Sequence, residues 1–143
     1  MKPLKHLSLQ CIYCDDIRDE VGGKTTIVGW YGGDPIGLPV EGALLMPTLG
    51  IVGMLAMPLE PKYKSMKVEL LQDQQVLQSV IMQEQALNEM QVEEAPTSAP
   101  QFGRQIRIVI KVHNLPVAEP CIFRMRITAG DEEVYSNGLR FTR

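Results

Sequence analysis

Between Ile106 and Thr128 apolar side chains recur at every second position. Ile106, Ile108, Ile110 and Val112 alternate with Arg107, Val109 and Lys111, and Cys121, Phe123, Met125 and Ile127 alternate with Ile122, Arg124, Arg126 and Thr128. Successive residues of a strand point to opposite faces of a sheet, so this spacing buries one row and wets the other, a pattern no helix produces. Asn114-Leu115-Pro116, between the two runs, reads as a turn. Gly130-Asp131 turns the chain into Glu133–Phe141, where Asn137-Gly138 predicts a bulge or second bend before Leu139 and Phe141 return to the core.

The same arithmetic applies upstream. Leu7–Cys14 sets Leu7, Leu9, Cys11 and Tyr13 against Ser8, Gln10, Ile12 and Cys14. The acidic stretch Asp15, Asp16, Asp19 and Glu20 then meets Gly22-Gly23, a pair that takes positive φ cheaply, and a second strand follows over Lys24–Tyr31. Gly32–Gly42 holds too many glycines and prolines for a helix or central strand and reads as a loop with a short edge segment. Met66–Leu71 and Val76–Met82 predict a hairpin through Gln72-Asp73-Gln74-Gln75. Gln83–Gln91 has helix-like spacing for one or two turns, and Val92–Phe102 reads as a loop. The sum is an all-β chain: a single-domain β-sandwich of seven or eight mostly antiparallel strands spanning residues 1–143, long enough to bury about two thirds of its unfolded surface.

Ala43–Leu59 carries no charge. Its length approaches a membrane span, but Pro47, Gly50, Gly53 and Pro58 interrupt it, so extended chain is expected and no membrane segment. As a strand, Thr48–Met57 is apolar on both faces, with Leu49, Ile51, Leu55 and Met57 on one and Val52, Met54 and Ala56 on the other. Either the chain's own loops cover the outer face or another chain does. Met46, Val52, Met54 and Met57 are therefore the candidate interface residues, with ordinary core filling as the alternative.

Chemistry is sparse. A net charge of -3 speaks against a nucleic-acid partner, which calls for a basic face. Arg104, Arg107, Lys111, Arg124, Arg126, Arg140 and Arg143 can line the wet face of a C-terminal sheet, either as a solvated surface or for an anionic partner. Three cysteines suit a reducing compartment, and the N-terminus lacks a sustained apolar run and a small-residue cleavage site, so a cytoplasmic chain is expected. Cys11-Ile12-Tyr13-Cys14 has C-x-x-C spacing, but residues three apart on a strand diverge and no second ligand pair exists for zinc. Asp15, Asp16, Asp19 and Glu20 offer oxygen ligands for an ion if Asp131 or Glu132 approaches them; a solvated acidic loop is the plainer expectation. His6 and His113 are the only histidines, and an acyl-transfer site has to bring one of them to Cys14 or Ser136. No nucleophile elbow, zinc-protease motif or phosphate-cradling glycine loop occurs, and no cofactor is expected.

Cys14-Asp15-Asp16-Ile17-Arg18-x-Glu20-x-Gly22-Gly23-Lys24 with Ile27-Val28-Gly29-x-Tyr31-Gly32 resembles the opening signature of an uncharacterised family of small bacterial and phage domains. Pro116-x-x-Glu119-Pro120-x-x-Phe123-Arg124-Met125-Arg126-Ile127 with Gly130-Asp131-Glu132 is similar to that family's closing hairpin. The resemblance implies a compact β-sandwich and brings no activity, substrate or catalytic residue. The resulting expectation is a non-enzymatic structural or interaction module, with protein partners or self-assembly, in the cytoplasm or in a virion if phage-encoded. The alternative is an ion- or ligand-binding sandwich using Asp15, Asp16, Asp19 and Glu20.

Overall fold

The computed structural model describes residues 6–59, 63–89 and 103–143. Its strands are β1 (Ser8–Asp19), β2 (Thr25–Tyr31), β3 (Ile36–Gly37), β4 (Leu44–Met57), β5 (Ser65–Gln72), β6 (Gln75–Gln83), β7 (Arg104–Val117), β8 (Cys121–Ala129), β9 (Glu132–Tyr135) and β10 (Leu139–Thr142). One short helix, α1 (Glu84–Glu89), follows β6. A four-stranded sheet has the order β2-β1-β4-β7, and a six-stranded sheet has the order β3-β10-β8-β5-β6 with β9 also paired to β8. Every pairing is antiparallel except β10 with β3.

The core lies between the sheets and follows the alternation. Leu9, Cys11, Tyr13, Leu49, Ile51, Leu55 and Ile106 from the first sheet meet Met66, Val68, Leu70, Phe123, Met125, Ile127 and Phe141 from the second. Each large apolar side chain so buried contributes about 1.5–3 kcal/mol relative to exposure, which is why period-two patterning decides the architecture. Phe123 and Phe141 meet edge to face at 5.4 Å.

Four local expectations need correction. The described strands number ten because the Gly/Pro loop contributes two-residue β3 and because Glu133–Phe141 is divided. Both β9 and β10 pair with β8, so they form one strand broken at Ser136–Gly138. The acidic run is not a connection, since β1 continues to Asp19 and pairs directly with β2. Asn114-Leu115-Pro116 is not a turn. Asn114 takes φ 54, which an Asn tolerates, and β7 runs on to Val117. Pro116 is accommodated because β7 is a sheet edge. Finally, the β5–β6 turn is only Asp73-Gln74, with Asp73 at φ 53 supplying the left-handed residue a tight hairpin needs. Its tip is anchored to β8, Asp73 N donating to Ile122 O at 2.8 Å and Ile122 N to Asp73 Oδ1 at 3.1 Å.

At the level of Asn114, β4 and β7 turn over together. Met46 and Leu115 are register partners and both enter the core, although simple alternation from Leu49 and Val112 would point them outward. The predicted loop Val92–Phe102, and Met90 and Gln91 of the predicted helical stretch, lie outside the described residues.

Candidate functional site

The outer face of β4 is covered from within the chain. β1 pairs with β4 only from Ser8 to Cys14, and beyond that point it pairs with β2 alone. The freed end of the β1–β2 hairpin curls over the first sheet, so Ile17 joins Cys14 and Val52 in a small buried cluster with Ile12 and Ile27 against it. Gly50 makes the closure possible: a Cβ there would stand 2.9 Å from both Cys14 Sγ and Ile17 Cγ1. Polar contacts rim the cluster, with Lys111 Nζ 3.6 Å from Asp16 Oδ1 and Arg107 donating to Thr25 Oγ1 at 2.8 Å. Gly29, at φ 67, shapes the bend beside Asp15, whose carboxylate accepts the Tyr31 hydroxyl proton.

This arrangement places the four candidate interface residues. Met46 and Met57 are buried in the main core, Val52 is buried under the hairpin, and Met54 is half-buried opposite Gln10 and Arg107. They share no exposed patch.

The acidic residues serve the hairpin. Asp16 Oδ1 accepts from Ile17 N at 2.9 Å, and that bond, with Arg18 and Lys111 nearby, holds the carboxyl below its ordinary range. Asp19 pairs with Thr25, and Glu20 N donates to Lys24 O at 2.8 Å to close the turn. Glu132 does not join them; it accepts from Leu7 N and Tyr63 OH at the other end of β1. Among the described residues no three His, Cys, Asp or Glu side chains converge on a metal position.

The nucleophiles and imidazoles have other partners. Cys11 faces the main core and Cys14 the hairpin cluster, divergent as strand geometry demands. Cys14 Sγ donates to the carbonyls of Asp16 and Gly50 at 3.4 and 3.5 Å, and burial pushes its thiol up, away from reactive thiolate. His113 Nδ1 contacts Thr48 Oγ1 at 3.2 Å, His6 lies beside Glu132, and Ser136 Oγ donates to Asn137 O at 2.8 Å. A shallow depression of about 190 Å³ between the Gly32–Pro35 loop and β10 falls short of the roughly 300–1,000 Å³ of small-molecule sites.

The basic residues do not gather, because β7 and β8 belong to different sheets. Arg107 and Lys111 brace the hairpin, Arg126 bonds buried Glu69 at 2.9 Å, Arg124 stacks 4.5 Å over Tyr135, and Arg143 caps the Pro39, Val40 and Ala118 carbonyls.

Two features carry no motif. Tyr13, Ser136 and Asn137 form a polar network between the sheets: Tyr13 OH donates to Asn137 O at 2.7 Å, and the Asn137 amide bonds both backbone groups of Cys11, at 2.7 and 3.0 Å. The other is β6, an outermost strand whose nine residues, Gln75 to Gln83, are uncharged. That absence of charge is its one signal in the sequence.

The fold and surface thus define an all-β sandwich of two sheets. No family model, no curated protein and no solved structure matches the chain. No described helix is long and apolar enough to cross a membrane.

Proposed function

We propose that this chain is a non-enzymatic structural module that packs into a larger protein assembly; for a phage-encoded chain, that assembly is the virion. The observation that supports this reading is Trp30. It is the only tryptophan, it lies on β2 opposite Cys14, and it is 70% exposed. The strand thus presents a large amphipathic ring to water, the residue type most enriched at the energetic centres of protein interfaces. Val28 on the same strand is also exposed.

Because Trp30 is alone, its fluorescence reports its own surroundings. The expected result is water-like emission from the isolated chain, and a blue-shifted emission shielded from soluble quenchers once the chain sits in its native assembly. Trp30→Ala should keep the melting temperature and lose incorporation. Emission that stays water-like in the assembly, together with normal incorporation of W30A, overturns the proposal.

A further inference from the structure

Asn137-Gly138 is the one Asn-Gly pair in the chain; the other asparagines, Asn88 and Asn114, precede Glu89 and Leu115. Asparagine before glycine is the sequence most open to deamidation, because no side chain on the second residue obstructs its amide nitrogen as it approaches the asparagine side-chain carbonyl. The fold calls for both members of the pair. β2 accompanies β1 only from Tyr13 to Asp19, so the backbone groups of Cys11 on that side have no strand beside them. Asn137 takes the strand's place, its Oδ1 accepting from Cys11 N at 2.7 Å and its Nδ2 donating to Cys11 O at 3.0 Å. A primary amide can do both, since it carries an acceptor and a donor side by side. Gly138 lies under Ile122: a Cβ there would overlap Ile122 Cδ1 and stand 3.3 Å from the Phe123 carbonyl oxygen. Closing the sandwich at this point therefore builds a labile pair into it.

Both residues are exposed, so water reaches the pair and only its hydrogen bonds guard it. Attack on Asn137 Cγ requires the side chain to swing from Cys11 toward Gly138 N and the intervening backbone to rotate. The first motion breaks both bonds to Cys11. The second is resisted at the Asn137 carbonyl, which accepts from Tyr13 OH at 2.7 Å and from Ser136 Oγ at 2.8 Å, while Met125 N holds Ser136 Oγ at 2.9 Å. The reaction thus waits on local opening of this latch.

We propose that Asn137 is a self-modification site, whose deamidation irreversibly unlatches β1 from the broken strand β9–β10. In an opened molecule Gly138 N gives up its proton and bonds to Asn137 Cγ, and Nδ2 departs as ammonia after taking up a proton, leaving a five-membered succinimide. Water then opens the ring at either carbonyl, and no electrons are gained or lost. Opening at Cγ gives aspartate, with a carboxylate facing the Cys11 carbonyl. Opening at the main-chain carbonyl gives isoaspartate, with a carboxylate where Tyr13 and Ser136 held a peptide oxygen and one more atom in the backbone between β9 and β10. Neither product restores the Nδ2 donor, so the Cys11 carbonyl loses its partner and the latch does not re-form. What remains is a stretch of β1 edge open to other chains. The inference stands independently of the reading of the chain as an assembly module.

The test is peptide mapping of the full chain kept at mildly alkaline pH in native buffer and in urea, with the aspartate and isoaspartate forms at position 137 quantified. Conversion should be confined to Asn137, and should run slower in native buffer than in urea by about tenfold or more. Tyr13→Phe removes one donor from the Asn137 carbonyl and should speed the native reaction about fivefold while leaving the urea rate unchanged. Gly50→Ala, which loosens the separate hairpin cluster, should leave the native rate unchanged. The converted chain, separated by its added negative charge and returned to fresh buffer, should melt below the unconverted one, and Asn137→Asp should do the same. Equal rates in native buffer and urea overturn the latch, as does equal acceleration by G50A and Y13F, which would place the reaction in the globally unfolded chain. A converted chain that melts with the unconverted one, or no conversion in native buffer for wild type and Y13F alike, overturns the proposal as a whole.

Discussion

The side chain of Asp15 fills the space where a Cβ on Gly29 would stand, its Cγ lying 2.8 Å from that position. Gly29 is also at φ 67, so two independent reasons require glycine at the bend of the β1–β2 hairpin. Gly29→Ala should cost about 1–3 kcal/mol from the backbone conformation alone, at roughly 4 °C of melting temperature per kcal/mol for a chain of this size. Adding Asp15→Ala relieves the clash and leaves the φ strain. Thermal melts of the two variants should therefore show the double variant recovering part of the loss; no recovery would mean that Asp15 does not constrain the bend.

Ile17 over Gly50 makes a more local prediction. Gly50→Ala inserts a methyl group between β4 and both Ile17 and Cys14, overpacking that costs about 1–3 kcal/mol. The strain falls on the hairpin rather than the core, because the cluster of Cys14, Ile17 and Val52 is separate from the main one. Weakening the closed hairpin by about 1.4 kcal/mol should raise the labelling rate of Cys14 about tenfold through local opening. Cys11 and Cys121 should keep their rates. If all three cysteines accelerate together, the hairpin does not open as a unit of its own.

How much of this was legible depended on which residues carry their information in spacing. The alternation in Ile106–Val112 and Cys121–Thr128 specified two half-buried strands and with them the all-β sandwich, since burial of one row is what the period encodes. The two-sided apolar character of Thr48–Met57 was equally plain, but its cover was not. That cover comes chiefly from Ile17, on a stretch whose Asp15, Asp16, Asp19 and Glu20 read as solvated loop, with Ile27 of the second strand packed beside it. Single left-handed residues, Asn114 and Asp73, hid a continued strand and a tight turn, because one residue's φ leaves no periodic trace. The network of Tyr13, Ser136 and Asn137 joins positions 123 and 124 residues apart, beyond any local pattern. The candidate interface at Met46, Val52, Met54 and Met57 rested on the two-sided apolar pattern of Thr48–Met57, which does not say which side of a sheet the chain itself already occupies.

Asn137 ties β1 to the broken strand β9–β10 by bonding both the N–H and the carbonyl of Cys11, as a neighbouring strand would. Asn137→Ala removes both partners at once. Leaving a shielded backbone group unpaired costs about 1–3 kcal/mol, so the loss should exceed that of Tyr13→Phe, which deletes one hydroxyl worth about 1 kcal/mol. Tyr13 anchors the backbone of the same residue by donating to the Asn137 carbonyl, which positions the Asn137 side chain on Cys11, so the double variant should lose less than the sum of the singles. Denaturant unfolding of the four proteins measures the coupling, and strict additivity would show that the network is not a unit.

Alkaline pH should unfold this protein sooner than a chain with exposed tyrosines and thiols. Burial pushes the Cys11, Cys14 and Cys121 thiols and the Tyr13 phenol up, and Tyr31 is raised to about 12, first by burial and then by its bond to the Asp15 carboxylate. Each group holds its proton more tightly folded than unfolded. Its contribution is therefore complete below its ordinary value, 9.0 for the thiols and 10.0 for the tyrosines, and is lost as pH climbs toward the folded value. Asp16 has the opposite sign, since its depressed carboxyl stabilises the fold above 3.8 and ceases to do so as pH falls through its folded value. Melting temperature should thus hold through neutral pH and decline above about 9, with Tyr31→Phe flattening the part of the decline between about 10 and 12. A melting temperature that stays level across that alkaline range, or a Y31F curve identical in shape to the wild type, would show that these protons do not contribute to the fold's stability.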